Sequence, residues 1–207
     1  PSLVSVGRII TYYSSIIMPL IQFENLSHKV DEKIIFNKLS STLDINEIVE
    51  IRGPNGSGKS TLLKYICGLH TSKNIILSES YENNIAYLGH KNAFVEEISL
   101  RQNFKLNGTD LKDELLKIFG LSKLINQKYF SLSYGEKRKA ALINLFQSQK
   151  KIWVLDEPFS GLDGASIDVI KKIIKKHADD GGLIVLANHQ EEIDGSRKIH
   201  LRGINAS

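Results

Sequence analysis

Apolar residues along this chain fall into short unbroken runs that alternate with helical stripes. Leu20–Phe23, Lys33–Phe36 and Ile45–Ile51 predict strands. Leu62, Leu63, Ile66 and Leu69 recur at helical spacing and predict a helix from Lys59 to about Cys67. Two short apolar runs follow, Asn74–Leu77 and Ile85–Leu88. From about Asn92 to Gln149 the strand signals stop. There Leu111, Leu115, Ile118 and Phe119 share one predicted helix face, and Ala140, Leu142, Ile143 and Phe146 populate another. Ile152–Leu155 then reads as a buried strand. The stretch from about Ala165 to His177 reads as a helix with Ile167, Ile170, Ile173 and Ile174 inward and its lysine pairs outward, and Leu183–Ala187 as a last core strand. Apolar strands alternating with amphipathic helices predict an α/β fold, here with a helical insertion in its middle.

Bulk properties narrow the class only a little. A chain of 207 residues suits one domain, or one domain with a subdomain. No apolar run approaches the roughly 18–20 residues needed to span a bilayer, so any pore would lie in another chain. The net charge of +4 comes with lysines spread along the sequence, which reads as solvated helix faces and not as a nucleic-acid surface. The single cysteine, Cys67, excludes an internal disulfide, suits a reducing compartment and reads as a core residue. Residues 1–17 read as an extension upstream of a working domain at 18–207 that begins near Met18, with a helical subdomain at about 92–150.

The stretch Gly53-Pro54-Asn55-Gly56-Ser57-Gly58-Lys59-Ser60-Thr61 carries the chemistry. It fits the phosphate-loop pattern G-x-x-x-x-G-K-[ST] between a strand and a helix. Glycines let successive N–H groups turn inward toward phosphate, and the following helix adds its positive end. Lys59 can reach the β- and γ-phosphates, and the Ser60 hydroxyl can ligate Mg²⁺. A hundred residues on, the apolar strand Ile152-Trp153-Val154-Leu155 ends in Asp156-Glu157-Pro158. Asp156 is placed to hold Mg²⁺ and Glu157 to orient an attacking water. Leu132-Ser133-Tyr134-Gly135-Glu136 reads as a helix start in which Ser133 and Glu136 form a capping box. A second reading makes that helix end and the Ser133 hydroxyl an anion site for a γ-phosphate.

Taken in order, these residues resemble the nucleotide-binding subunit of an ATP-binding-cassette (ABC) transporter. Gly53–Thr61 matches the phosphate loop, the segment near His90 the Q-loop, Leu132–Glu136 the signature, Asp156-Glu157 the acidic strand end, Ser160-Gly161-Leu162-Asp163 the D-loop and His189 the switch histidine. The resemblance runs from about Leu20 to about Arg202. It implies a phosphate-loop cassette with a RecA-like core, an antiparallel β subdomain and an inserted helical subdomain. It implies ATP and Mg²⁺ as ligands, with Glu157, His189 and Lys59 catalytic and Ser60 and Asp156 on the metal. Gly53 to Thr61, His90, Ser133 and Gly135 would contact ATP. Two copies would pair head to tail, each ATP lying between the phosphate loop of one and Ser133 and Gly135 of the other, with Asp163 coupling the sites.

Departures from the common cassette pattern point to a subgroup. Val30 stands where an adenine-stacking aromatic is expected, His90 where the Q-loop glutamine is, Tyr134 where the signature has glycine, and Lys139 and Asn144 where arginines are common. Tyr87-Leu88-Gly89-His90, Gly181-Gly182-Leu183-Ile184-Val185, Asn188-His189-Gln190 and Asp156–Ser160 are similar to the haem-exporter ATP-binding subunit of cytochrome c maturation, the CcmA family. That resemblance implies an ATP-hydrolysing, haem-transporting motor on the cytoplasmic side of the inner membrane. It would be peripheral, bound to integral-membrane permease subunits through Asn92–Phe104. The alternatives are another small-substrate or lipid exporter subunit, a soluble cassette ATPase or a non-hydrolysing nucleotide sensor.

Overall fold

A computed structural model describes residues 19–79, 83–109, 111–189 and 191–202. The extension at 1–17, Met18 and Gln190 lie outside the described residues. In chain order the elements are β1 (Ile21–Val30), β2 (Lys33–Leu43), β3 (Glu47–Arg52), α1 (Lys59–Ile66), β4 (Ile75–Leu77), β5 (Ile85–Leu88), α2 (Leu100–Leu106), α3 (Asp113–Ile118), α4 (Tyr134–Phe146), β6 (Ile152–Asp156), α5 (Gly164–Asp179), β7 (Leu183–Ala187) and β8 (Arg197–His200).

Two sheets organise these elements. One is antiparallel, in the order β2-β1-β4, and the other is parallel, in the order β5-β6-β7-β3-β8. Every residue of β6 and β7 is buried, which explains their unbroken apolar sequences. Side chains alternate between two cores. Trp153, Leu155, Ile184 and Leu186 pack with Leu142, Ile143, Ile170 and Ile174 of α4 and α5. Ile152, Val154, Leu183 and Val185 pack with Leu62, Leu63 and Ile66 of α1 and with Phe23, Leu26 and Leu43 of the antiparallel sheet. The parallel register sets Ile51 opposite Ala187, and Ala187 opposite Asp156. The C-terminal ends of β3, β7 and β6 therefore finish level, and the loops that follow them share one edge.

Several sequence expectations needed correction. Leu69 is 60% exposed: α1 stops at Ile66, so its stripe ends a turn earlier than the spacing suggested. Ile118 is 50% exposed, and Leu116, which was not singled out, turns inward beside Phe119. Cys67 is only partly buried, packed against the α1 core, and burial pushes its thiol up to about 12. β1 and β2 run well past the predicted strands to form a long hairpin.

Candidate functional site

The loop between β3 and α1 is shaped to hold an anion. Gly58 precedes α1 at φ +92 and offers no side-chain cap, so the first N–H groups of the helix stay free for a ligand. A Cβ at Gly58 would stand 2.5 Å from Ile35 Cγ2 and 2.9 Å from Phe36 Cδ1, so glycine alone fits beneath the β1–β2 hairpin. The Ser57 hydroxyl is buried and has no hydrogen-bond partner. Lys59 lies only 7% exposed, its Nζ donating to the Gly53 and Pro54 carbonyls at 2.8 and 3.0 Å. Burial pulls its pKa down, and the nearby Glu157 and Asp156 carboxylates oppose that. The ammonium is thus held inside the loop, ready to exchange two carbonyls for phosphate oxygens.

Opposite it, the end of β6 presents Asp156 and Glu157. Asp156 is buried, and its Oδ2 has no hydrogen-bond partner. The closest approach is His90 Nε2 at 3.4 Å, from an imidazole that is mostly exposed. Glu157 adopts φ +50, unusual for a residue with a side chain. Its N–H donates to Ala187 O at 2.8 Å, and its Oε1 lies 3.0 Å from His189 Nε2. His189 is steadied from behind by Arg52, whose guanidinium donates to the carbonyls of His189 and Glu191 at 3.4 and 2.5 Å. A cleft of about 460 Å³ opens beside Glu157, Ser160, Gly161 and His189, and another of about 620 Å³ beside Ser60, His90 and Asp156. Lys59, Ser60, His90, Asp156, Glu157 and His189 thus converge.

Ser133 and Gly135 sit elsewhere. Ser133 caps α4, accepting from Glu136 N at 3.3 Å, while the Glu136 carboxylate accepts from Ser133 N at 2.8 Å. The expected capping box is present, and Ser133 remains exposed at an open helix end. Gly135 packs toward the Gly161 backbone. Val30 is half exposed at the hairpin tip, an aliphatic residue where the sequence comparison expected an aromatic.

Sequence reasoning missed Arg138. It is 2% exposed and among the largest fully buried side chains. Its guanidinium donates to Gly89 O at 2.8 Å, to Asn92 Oδ1 at 3.3 Å, to Glu157 O at 2.9 Å and to the Asp156 carbonyl. One side chain of α4 thereby ties the His90 segment to the peptide that carries Glu157 in its left-handed conformation. The signal was there: Arg138 stands three and four residues before Ala141 and Leu142, on the inward face. Flanking Lys137 and Lys139 made it read as solvated. Arg138→Met is expected to leave these buried acceptors unpartnered, at about 1–3 kcal/mol each. Taken over the four acceptors, at roughly 2–4 °C per kcal/mol, differential scanning calorimetry should show the melting temperature falling by about 10 °C or more.

Comparison with known proteins agrees with this geometry. The family model described as ABC transporter matches residues 36–160. The chain is 34% identical over 191 residues to the cytochrome c biogenesis ATP-binding export protein CcmA of Shewanella oneidensis, covering 83% of this chain and 88% of the relative. Against the protein of the same description in Wolbachia pipientis wMel it is 30% identical over 203 residues, covering 90% and 98%. A solved ATP binding subunit of an ABC transporter superposes with a TM-score of 0.73 at 25% identity, covering 83% of this chain and 80% of that one. A nucleotide-free ATP-binding cassette from an ABC transporter shares the fold, with a TM-score of 0.68 at 20% identity over 85% and 83%. A phosphate loop, an acidic strand end and a histidine on one sheet edge, a capped signature helix apart from them, and relatives of this likeness lead to one conclusion: the chain belongs to the ABC transporter family, as an ATP-binding cassette of the CcmA type.

Proposed function

We propose that this chain is the ATP-hydrolysing subunit of a membrane export complex for cytochrome c biogenesis, with haem as the cargo. The observation that carries the ATPase reading is the convergence of Lys59, Asp156, Glu157 and His189 at the level ends of β3, β6 and β7. The export reading rests on the likeness to the CcmA relatives.

The site fits ATP with Mg²⁺. The unpartnered Ser57 hydroxyl and Asp156 Oδ2 are the kind of buried polar atoms that a ligand satisfies. Among the described residues, no group of three or more His, Cys, Asp or Glu could hold a metal ion by itself. This suits Mg²⁺, which commonly takes one or two protein ligands with phosphate and water. Ser60 and Asp156 would hold it, and it would neutralise charge on the phosphates. Lys59 and the free N–H groups of α1 bind and orient the phosphate tail. Glu157 accepts the proton of the attacking water, and His189, whose Nε2 lies 3.0 Å from its Oε1, keeps its carboxylate aimed and faces the γ-phosphate.

Ser133 and Gly135 stand at an exposed helix end in this chain, so their phosphate contact would be made with the nucleotide of a second copy, paired head to tail. Closure on ATP and opening after hydrolysis would then drive the membrane partner. Among the described residues no helix is long and apolar enough to cross a membrane. The likeness to the CcmA relatives supports work from the cytoplasmic face, held by integral-membrane subunits. The proposed docking segment, 92–104, carries Glu96 and Glu97. Glu96 is paired with Lys137 of α4 at 2.8 Å, so Glu97 is the cleaner probe. Deleting the gene is expected to abolish covalent haem attachment to c-type cytochromes. Restoration by the wild type but not by Lys59→Ala supports the proposal, and normal cytochromes in the deletion strain contradict it.

A further inference from the structure

The third signature residue, Tyr134, has no part in the chemistry above. It is 56% exposed, yet its ring lies across the backbone of Gly161. A Cβ at Gly161 would overlap ring carbon Cδ1 and stand 2.6 Å from Cε1, and Gly161 holds φ +73, so this position accepts the ring only as glycine. The Tyr134 hydroxyl reaches Ser160 Oγ at 3.4 Å. The next residue, Gly135, presses against the same loop: a Cβ there would stand 2.7 Å from Gly161 O. One turn along α4, Lys139 Nζ meets Asp163 Oδ2 at 2.8 Å. Asp163 also caps α5, accepting from Ser166 N at 2.8 Å and Ser166 Oγ at 3.0 Å. The Lys139 contact and these caps hold the Asp163 carboxyl well below the usual carboxylate range.

The start of α4 and the loop Ser160–Asp163 are thereby laced together within one chain. The loop in turn is tied to the catalytic carboxylate's residue, because Ser160 N donates to Glu157 O at 3.2 Å. We propose that Tyr134 is a positioning residue. Its ring makes the signature helix and the 160–163 loop move as one body, so that clamping the partner copy's ATP with Ser133 sets Glu157 of the same chain. The inference rests on the head-to-tail reading. It adds a route by which each site reports its occupancy to the other.

The steady-state ATP dependence of hydrolysis by the full-length chain tests this. Tyr134→Ala is expected to lower the Hill coefficient from near 2 toward 1 while changing the half-saturating ATP concentration less than about threefold. Tyr134→Phe, which keeps the ring, should retain the wild-type coefficient. A residue that served only to pack the surface would alter stability and leave the coefficient unmoved. Tyr134→Ala with undiminished cooperativity overturns the proposal, as does Tyr134→Phe behaving like Tyr134→Ala. Sedimentation of Tyr134→Ala in a Glu157→Gln background separates the two layers. An ATP-dependent dimer there, with cooperativity lost in the hydrolysing Tyr134→Ala chain, supports the proposal. If neither this protein nor Glu157→Gln alone dimerises, the head-to-tail reading fails and the inference falls with it.

Discussion

Glu157→Gln is expected to slow ATP hydrolysis by roughly 10²–10⁴-fold, the usual contribution of a positioned general base. Nucleotide binding should survive. The amide is nearly isosteric with the carboxylate, and the loop of Lys59 and Ser57 is untouched. The backbone at Glu157 should also hold, because its left-handed conformation is fixed by contacts that do not involve the carboxylate. These are the N–H to Ala187 O, at 2.8 Å, and the carbonyl to Arg138, at 2.9 Å. What is lost is the proton acceptor beside His189. A chain that binds ATP but cannot cleave it should accumulate as a closed pair, visible as an ATP-dependent dimer by sedimentation. Turnover within threefold of wild type would remove Glu157 from the catalytic role.

Lys59→Ala is expected to fail at both binding and chemistry. Its ammonium is held by two loop carbonyls within reach of the carboxylates beyond. Removing one charged donor aimed at developing negative charge typically costs about 10²–10³ in rate, and the charge-assisted bonds to bound phosphate go with it. kcat/KM should therefore fall by at least two orders of magnitude, with weaker ATP binding measured by fluorescent-nucleotide titration. Fold stability should stay near wild type. Burial lowers the Lys59 pKa, so holding this lysine charged costs more in the folded chain than in the unfolded one, and alanine removes that cost. A variant with wild-type nucleotide affinity would show that the loop binds phosphate through its backbone alone. The pair of variants thus separates binding plus chemistry, at Lys59, from chemistry alone, at Glu157.

Where burial was complete, the sequence was easy to read. β6 and β7 lie where their apolar runs lie, because both are short, fully buried strands inside a covered parallel sheet. β8 went unread because it is an edge strand, Arg197-Lys198-Ile199-His200, in which only Ile199 is buried. β1 and β2 were read short for another reason. Apolar residues are sparse in their later halves, Leu26 and Val30 in β1 and Leu39 and Leu43 in β2, and register shifts along β1 with positive φ at Asn25 and Lys38 break the alternation. The chemistry of the site was legible as motifs in order, since phosphate binding needs particular residues at fixed spacing. The links between motifs were not. Arg138 spans α4, the His90 segment and the end of β6, and Tyr134 meets Gly161 across 27 residues of chain. Only the fold brings these partners together.

In the head-to-tail proposal, one chain holds half a site and a second copy completes it. Interchain disulfide trapping tests this most directly. Cys67→Ser and Glu157→Gln provide a background without the native thiol or turnover. In that background, one chain carries Asn55→Cys at the exposed phosphate loop, and a differently tagged chain carries Ser133→Cys at the exposed start of α4. On mixing under mild oxidation, a mixed disulfide dimer is expected to form with Mg²⁺ and ATP and not without nucleotide. Chains that stay uncrosslinked with ATP bound would contradict it.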